Sequence, residues 1–193
     1  MLVALGLGNP GERYSGTRHN VGKGVVASTI ERLGLRASPG HGDYYYAEDH
    51  SRDLALVIPA TYMNTSGRVA SQVLRHYGAP AESLLVVCDD FNLPLGTLRI
   101  RKQGSDGGHN GLGSIIYELG SQAFPRLRVG IGPLSGGVDP VDFVLLGFEP
   151  EEEALIEKAK TAAVEALLGI AADGLDSAMN VFNKRNDTDS QEA

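Results

Sequence analysis

The sequence is short of cysteine, of positive charge and of long apolar runs. Its single cysteine, Cys88, cannot form an internal disulfide or a cysteine-rich zinc site, which is typical of a reducing compartment. The 17 Lys and Arg against 24 Asp and Glu give a formal net charge of −7, which argues against a generally basic protein that coats nucleic acid. No stretch approaches the roughly 20 apolar residues that span a bilayer. We therefore expect a cytoplasmic protein without membrane association.

Length and composition favour one globular domain. The chain has 193 residues, of which 42% are hydrophobic, so it can bury a substantial core. The first apolar strand pattern starts at Leu2, and we expect no signal or transit peptide before it. Residues 186–193 are polar and have no periodic apolar face. We expect a single domain over 1–185, followed by a disordered tail.

Hydrophobic periodicity predicts alternating strands and helices. Strands are predicted at 2–7, 44–48, 54–59, 84–88, 96–101 and 127–132, and helices at 21–34, 66–78, 109–120, 140–146, 151–172 and 176–185. This order predicts an α/β fold, a three-layer α/β/α arrangement around a twisted mixed, largely parallel sheet. In such folds the functional site forms where loops leave the carboxyl ends of the strands.

The stretch LGLGNPG, residues 5–11, has the glycine spacing of a dinucleotide-binding turn. Such a turn opens directly into a helix whose N-terminal N–H groups face a pyrophosphate. Here a turn-rich segment follows, and the helical pattern begins only at Val21, with Asn20 at the N-cap position. The acidic residue about 20 positions later, Glu31, lies inside that helix pattern rather than at a strand end. We expect no dinucleotide, but a tight strand exit that presents Asn9 to a substrate carbonyl.

Polar side chains recur at the other strand exits. Tyr62, Met63 and Asn64 follow one strand, Asp89 ends another, and His109 and Asn110 precede a helix. A buried carboxylate at Asp89 can hold the imidazole of His19 in one tautomer and stabilise the imidazolium that forms when it takes a proton. No serine lies in a G-x-S-x-G elbow, so the predicted nucleophile is water activated by His19. Taken singly, each of these residues also fits a turn, a helix cap or a strand end.

Two other chemistries use the same residues. Cys88 could act as a thiol nucleophile, but a cysteine that ends an apolar run is more often a small buried hydrophobe. His19, Asp89, Asp90 and His109 could ligate a metal, although no local pair has ligand spacing, and we expect none. The remaining histidines, His41, His50 and His76, are interpreted as surface residues.

Basic residues concentrate on two strands. Arg99 and Arg101 share one face of a strand, Arg126 and Arg128 share one face of another, and Lys102 ends the first. In an acidic protein this pattern indicates a local phosphate-binding surface. The alternative is two exposed sheet faces whose arginines pair with nearby carboxylates.

Five motifs, in order, resemble those of the bacterial-type peptidyl-tRNA hydrolase family: LGLGNPGERYSGTRHN, PATYMNTSG, CDDFNLPLG, GGHNGL and RLRVGIG. They cover residues 2 to 132, and their order makes the resemblance far more specific than any one of them. The resemblance implies a single α/β domain with a twisted mixed sheet, acting as a monomer without a cofactor. It also implies cleavage of the ester between a peptide and the ribose of tRNA, with peptidyl-tRNA as the partner.

The resemblance also implies roles for individual residues. His19 in TRHN matches the catalytic histidine, Asp89 its carboxylate partner, and Asn9 a group that positions substrate and developing charge. Those implied for peptide binding and the pocket lining are Tyr14, Met63, Asn64, His109 and Asn110, and those implied for tRNA are Arg99, Arg101, Lys102 and Arg128.

The chain also departs from the family pattern. Cys88 replaces a histidine common before the aspartate, and Asp90 and Asn92 differ from the acidic residues usual in that loop. The alternative within the same family is a noncatalytic RNA-binding protein.

Overall fold

The computed structural model describes residues 1–134 and 137–189, with side chains in the last helix described as far as Asn183. The strands are β1 (Leu2–Gly6), β2 (Ser38–Pro39), β3 (Tyr44–Asp49), β4 (Leu54–Pro59), β5 (Leu84–Pro94), β6 (Leu98–Arg101) and β7 (Arg126–Gly132). The helices are α1 (Val21–Arg32), α2 (Ser66–Tyr77), α3 (Asn110–Leu119), α4 (Pro140–Leu145), α5 (Pro150–Asp173) and α6 (Leu175–Asp189).

The strands form one seven-stranded sheet of order β2-β3-β4-β1-β5-β7-β6. The four central strands, β4, β1, β5 and β7, run parallel to one another. The outer strands β2, β3 and β6 pair antiparallel with their neighbours. The carboxyl ends of the four parallel strands therefore meet at one edge of the sheet.

Helices cover both faces of this sheet. In β1, Val3 and Leu5 face a core shared with α2 and α3, whereas Ala4 faces a core shared with α1 and α5. Burial on both faces explains why the central strands are nearly continuous apolar runs in the sequence. The predicted fold class, an α/β three-layer arrangement around a mixed, mostly parallel sheet, is confirmed.

The predicted elements need few changes. The strand predicted at 84–88 continues as β5 through Pro94, with a register shift between Asp90 and Pro94. The two-residue strand β2 is exposed and has no periodic pattern, so sequence reasoning missed it. The last helix extends to Asp189, so residues 186–189 of the predicted tail continue it, and 190–193 lie outside the described residues. In the described part of the chain, every helix is too short or too polar to span a bilayer.

Helix α1 crosses β1 and β5 at very short range. A Cβ on Gly22 would lie 2.2 Å from the carbonyl oxygen of Val87, and a Cβ on Gly6 would lie 2.6 Å from the carbonyl oxygen of Gly22. A side chain at either position would push the helix away from the sheet. Since the turn that contains His19 leads directly into α1, this contact sets how deeply His19 reaches toward β5.

We expect Gly22→Ala to lower the free energy of unfolding by about 1–3 kcal/mol, because its methyl group would overlap the β5 backbone. Urea unfolding measures this change. Gly24→Ala is the matched control in the same helix, since its Cβ would meet only Lys160 Cε at 3.8 Å. The control should be neutral or stabilising by about 0.5–1 kcal/mol. Equal effects of the two variants would contradict the close-packing explanation.

Candidate active site

The carboxyl edge of the sheet assembles side chains from distant parts of the sequence. Asn9 follows β1, and Met63 and Asn64 lie in a 3₁₀ turn after β4. Asp89 lies within β5. His19 lies in the 3₁₀ turn Arg18–Asn20 before α1, and His109 lies immediately before α3. The prediction that strand exits form the site is consistent with this placement.

A cavity of about 400 Å³ opens at this edge. Its lining includes all the residues predicted as catalytic or peptide-binding together with one predicted tRNA-binding arginine: Asn9, Tyr14, His19, Met63, Asn64, Asp89, His109, Asn110 and Arg128. The predicted tRNA-binding residues Arg99, Arg101 and Lys102 lie outside the cavity, on and just after β6.

His19 and Asp89 form a buried pair. The Nδ1 atom of His19 lies 3.0 Å from both carboxylate oxygens of Asp89. Only 7% of His19 and 3% of Asp89 are exposed, so water screens this contact little. Because an ionised carboxylate only accepts hydrogen bonds, Nδ1 donates and Nε2 of the neutral ring carries the lone pair. Among the described residues Nε2 has no hydrogen-bond partner, and His19 lines the cavity. The arrangement supplies a base that can take a proton from water.

His109 also donates to Asp89, and its tautomer is set by the backbone of α3. His109 is the N-cap residue of α3, and its Nδ1 accepts hydrogen bonds from the N–H groups of Gly111 and Leu112, at 3.1 and 3.3 Å. The proton of the neutral ring must therefore be on Nε2, which lies 3.0 Å from Asp89 Oδ1. One carboxylate thus accepts from two imidazoles.

These contacts keep Asp89 ionised. Burial by itself raises the pKa of the Asp89 carboxyl, but the charges and hydrogen bonds of His109 and His19 lower it by more. The pKa of Asp89 therefore lies well below its usual value. A carboxylate that is ionised near neutral pH favours the imidazolium that His19 becomes after taking a proton.

The amide of Asn9 has a defined orientation. Its Oδ1 accepts from the backbone N–H of Met63 at 2.9 Å, so the other end of the amide, Nδ2, is the donor end. Nδ2 has no hydrogen-bond partner among the described residues, and Asn9 lines the cavity. This geometry leaves Nδ2 available to donate to a bound molecule, and the role predicted for Asn9 toward a substrate carbonyl stays a prediction.

Asn20 is the N-cap residue of α1, as predicted from the sequence, but it does not use its side chain to cap the helix. Its side chain makes no hydrogen bond to the helix. It pairs instead with the main chain of Asn9: Oδ1 accepts from Asn9 N at 2.7 Å, and Nδ2 donates to Asn9 O at 3.0 Å. This reciprocal pair is favoured over a helix cap because it satisfies both the N–H and the carbonyl group of Asn9. Asn20 therefore fixes Asn9 relative to the adjacent His19.

The predicted peptide-binding side chains form the rim and floor of the cavity. Asn64 and Asn110 are exposed at its rim, whereas Met63 is 4% exposed and lies on its floor. The ring of Tyr14 packs edge-on against Tyr62 with centroids 6.3 Å apart. The cavity thus combines amide donors and acceptors with apolar and aromatic surface.

The four arginines predicted to share strand faces lie together on one face of β6 and β7, and we call these two cross-strand pairs the arginine row. Arg99 of β6 pairs in register with Arg128 of β7, and Arg101 pairs with Arg126. Their neighbours Leu127 and Ile100 belong to the core on the α1 side, so the arginines point to the opposite face. The row extends away from the cavity, where Arg128 stands at the wall.

Individual residues of the row differ in environment. Arg126 is 2% exposed and donates to the carbonyl oxygens of Gly104 and Ser105, so it fixes the loop that leads to His109. Arg101 is exposed. Lys102 lies at the end of the strand with its ammonium 2.6 Å from Asp176 of α6.

The three departures from the family pattern, Cys88, Asp90 and Asn92, have defined surroundings in the structure. Cys88 is completely buried, and burial raises the pKa of its thiol far above the usual value, which supports the interpretation as a small buried hydrophobe. Asp90 accepts from Asn92 N at 2.9 Å and forms an ion pair with Arg128. Asn92 also lines the cavity.

The fold creates one potential metal-ligand group within the described residues. His19, Asp89 and His109 each offer a ligand atom, and these atoms lie within 4.8 Å of one another. The sequence showed no local ligand spacing because the three residues come from three separate segments. In the structure both ring nitrogens that face Asp89 are hydrogen-bonded to it.

Sequence reasoning missed one wall of the cavity and the residue behind it. The wall is formed by α4, through Pro140, Val141, Val144 and Leu145. Behind it lies Arg18, which is only 4% exposed despite its charge. The position of Arg18 beside His19 in the TRHN motif was the available signal, but its long-range contacts are invisible in the local sequence.

An imidazole base oriented by a buried carboxylate, beside a free amide donor in an open cavity, defines a class of hydrolytic sites that use water directly. The family model described as Peptidyl-tRNA hydrolase matches residues 3–190. The chain belongs to the peptidyl-tRNA hydrolase family.

Individual relatives agree with this assignment. A protein named peptidyl-tRNA hydrolase from Chloroflexus aggregans is 44% identical over 186 residues, covering 95% of this chain and 99% of the relative. Another, from Synechococcus sp. strain JA-3-3Ab, is 46% identical, and the alignment covers 95% of this chain and 83% of the relative. The crystal structure of peptidyl-tRNA hydrolase from Acinetobacter baumannii is 29% identical, with a TM-score of 0.86 and 93% of each chain covered.

Proposed function

We propose that the protein hydrolyses the ester bond between the peptide and the tRNA in peptidyl-tRNA, releasing free tRNA and peptide. The single observation that supports this most strongly is the His19–Asp89 pair, whose free Nε2 faces a cavity rimmed by amides. Family membership supplies the substrate class.

The chemistry needs only water and the groups at the cavity. His19 Nε2 takes a proton from water as the water oxygen bonds to the ester carbonyl carbon. Asp89 stabilises the imidazolium that forms. The bond from that carbon to the ribose oxygen then breaks, and the imidazolium returns its proton to the ribose oxygen, which leaves as an alcohol. An alcohol is a good leaving group, so no covalent intermediate with a side chain is required.

Three asparagine side chains can bind the developing negative charge and the peptide. Asn9 Nδ2 is free to donate to the ester oxygen as it becomes an oxyanion, and the hydrogen bond from Met63 N to Asn9 Oδ1 fixes the orientation of the amide. Asn64 and Asn110 stand at the rim, where they can bind the peptide main chain and order the attacking water. Tyr14, Met63 and His109 line the space beside them.

The arginine row offers a path for the tRNA backbone. Arg128 lies at the cavity wall, and Arg99 is paired with it in register on β6. The phosphates of a tRNA whose ester lies in the cavity would therefore meet these guanidinium groups first and then Arg101. Lys102 lies at the end of the row, where a phosphate would compete with Asp176 for its ammonium.

Release of tRNA from N-acetyl-leucyl-tRNA tests the proposal directly. Turnover by catalytic amounts of the protein is the expected result. The alternative, a noncatalytic RNA-binding protein of the same family, predicts tRNA binding without any release of N-acetyl-leucine. Binding without turnover would contradict the proposed hydrolysis.

We expect Arg101→Ala to weaken tRNA binding and to reduce the slope of log K against log salt by about one unit, since one phosphate contact releases about one counterion. Binding of deacylated tRNA over a range of salt concentrations measures the slope. The matched control is Arg52→Ala, because Arg52 lies in the β3–β4 turn at the far end of the strands. An unchanged slope for Arg101→Ala would remove it from the interface.

A further inference from the structure

Arg18 is buried beside the candidate base and binds three separate parts of the chain. Its guanidinium lies 2.5 Å from Glu152 Oε2, in the first turn of α5. Its NH1 group donates to the carbonyl oxygen of Ile131, near the end of β7, at 3.2 Å. Its main-chain N–H donates to Leu146 O, just after α4, at 2.9 Å. One residue thus joins the turn that contains His19 to β7, α4 and α5.

Two aromatic rings enclose the same guanidinium. Its carbon lies 4.7 Å from the ring centroids of both Phe143, in α4, and Phe148, between α4 and α5. Arginine stacks on aromatic faces better than lysine because its guanidinium is planar and weakly hydrated. Burial raises the pKa of Glu152, but the hydrogen bond from Arg18 and the one from Glu149 N hold it below its usual value, so the ion pair stays charged.

A buried ion pair is a poor source of stability, because desolvation offsets the attraction and an apolar side chain could fill the same space. What arginine adds here is fixed geometry among several segments. Helix α4 needs such an anchor, because it has only six residues and two of its apolar side chains are solvent-exposed: Val141 is 57% exposed and Leu145 is 40% exposed. Its buried residue Phe143 packs on Arg18.

The consequence lies at the cavity. The outer side of α4 and its N-terminus form the apolar wall of the cavity through Val141, Val144 and Leu145. The next residue after Arg18 is His19, which lines the same cavity. Arg18 therefore sets the distance between the wall and the base.

We propose that Arg18 is a positioning residue that holds α4 as the substrate-binding wall of the cavity, through its stack between Phe143 and Phe148 and its ion pair with Glu152. This inference rests on the proposed function, since it assigns the wall to binding of peptidyl-tRNA. His19 is held separately by Asp89, so loss of Arg18 acts on substrate affinity rather than on the base.

Arg18→Met tests the inference, because methionine fills the space between the rings without the charge. We expect the KM for N-acetyl-leucyl-tRNA to rise about tenfold while kcat changes by less than about twofold. Without substrate, backbone amides of residues 141–146 should exchange with deuterium about tenfold faster, with the rest of the chain unchanged. Arg32→Met is the control, since Arg32 forms a half-exposed pair with Glu165 between α1 and α5.

Other outcomes separate this inference from the proposed function. A fall in kcat with unchanged KM, or unchanged exchange at 141–146, would overturn the role of Arg18 and leave the hydrolysis intact. A wild-type protein that shows no turnover would overturn the proposed function, whereas the exchange measurement would still decide whether Arg18 anchors α4. If Arg18→Met does not fold, Glu152→Gln replaces it. This variant loses the ion pair but keeps the guanidinium between the two rings, so we expect a smaller KM increase of about threefold. No increase in that variant would contradict the anchor.

Discussion

His19→Ala is expected to lower kcat for N-acetyl-leucyl-tRNA by about 10²- to 10⁴-fold with little change in KM, because it removes the proposed base and leaves the cavity rim intact. The Nε2 atom of His19 carries the lone pair that can take the proton, and Asp89 affects the reaction only through this imidazole. Single-turnover release of tRNA measures the chemical step. Undiminished turnover by this variant would rule out the proposed mechanism.

Two comparisons make the result specific. His50→Ala changes a histidine whose side chain is 80% exposed near Glu48, far from the cavity, and it should keep full activity. Chelation distinguishes water activation by His19 from activation by a metal held at His19, Asp89 and His109, because His19→Ala would impair both. Water activation predicts that a chelator leaves turnover unchanged, whereas a metal site predicts loss and recovery on adding a divalent ion.

Asp89→Asn is expected to lower kcat by about 10³-fold or more, although it changes the shape of the side chain very little. An asparagine has one acceptor oxygen and presents two N–H donors in place of the other. The backbone of α3 compels His109 to donate toward this position, so the asparagine oxygen is drawn to His109 and its NH₂ group faces His19. His19 then takes the tautomer that directs its proton, rather than its lone pair, into the cavity.

The matched control is Asp49→Asn at the end of β3, a carboxylate whose pKa is lowered by hydrogen bonds from Ser51 and Arg52. It should reduce stability slightly and leave kcat unchanged. Wild-type kcat in Asp89→Asn would show that the carboxylate charge does not matter to His19.

The same carboxylate predicts a pH dependence of stability. The pKa of Asp89 is lower in the folded protein than the ordinary value of about 3.9 in an unfolded chain. Its ionised form therefore contributes stability above about pH 4, and the contribution is lost as the pH falls further through the folded pKa. Urea unfolding should show the wild type losing stability relative to Asp89→Asn below about pH 4. A constant difference into stronger acid would contradict the lowered pKa.

Much of the architecture follows from local patterns. Apolar runs identified the central strands because both of their faces are buried, and the predicted strand 54–59 coincides with β4. The exposed strand β2 lacks that signal, and β5 continues into polar residues because the loop after Asp89 stays paired with β7. Periodicity detects burial, so strands that are exposed or polar are missed.

Some features of the site also follow from the sequence, and others do not. Residue type and position suggested Asn9 and Asp89 at strand exits and His19 in a loop as one group, although each taken singly also fits a structural role, and the fold places all three at one cavity. The contacts of Asn20 and Arg18 could not be predicted, because each depends on a partner fixed by the tertiary fold. Asn20 lies at the predicted N-cap position, but its amide bonds to the neighbouring turn instead of to the helix.

The cap of α3 has a consequence for the direction of proton movement. Backbone N–H groups of Gly111 and Leu112 can only donate, His109 passes this polarity on to Asp89, and Asp89 can then only accept from His19. The hydrogen bonds from His109 on one side and from His19 on the other both point toward Asp89, which donates none. A proton taken up by His19 therefore cannot be relayed into the protein interior, and it can leave only through the cavity, where the departing ribose oxygen is the group that needs it.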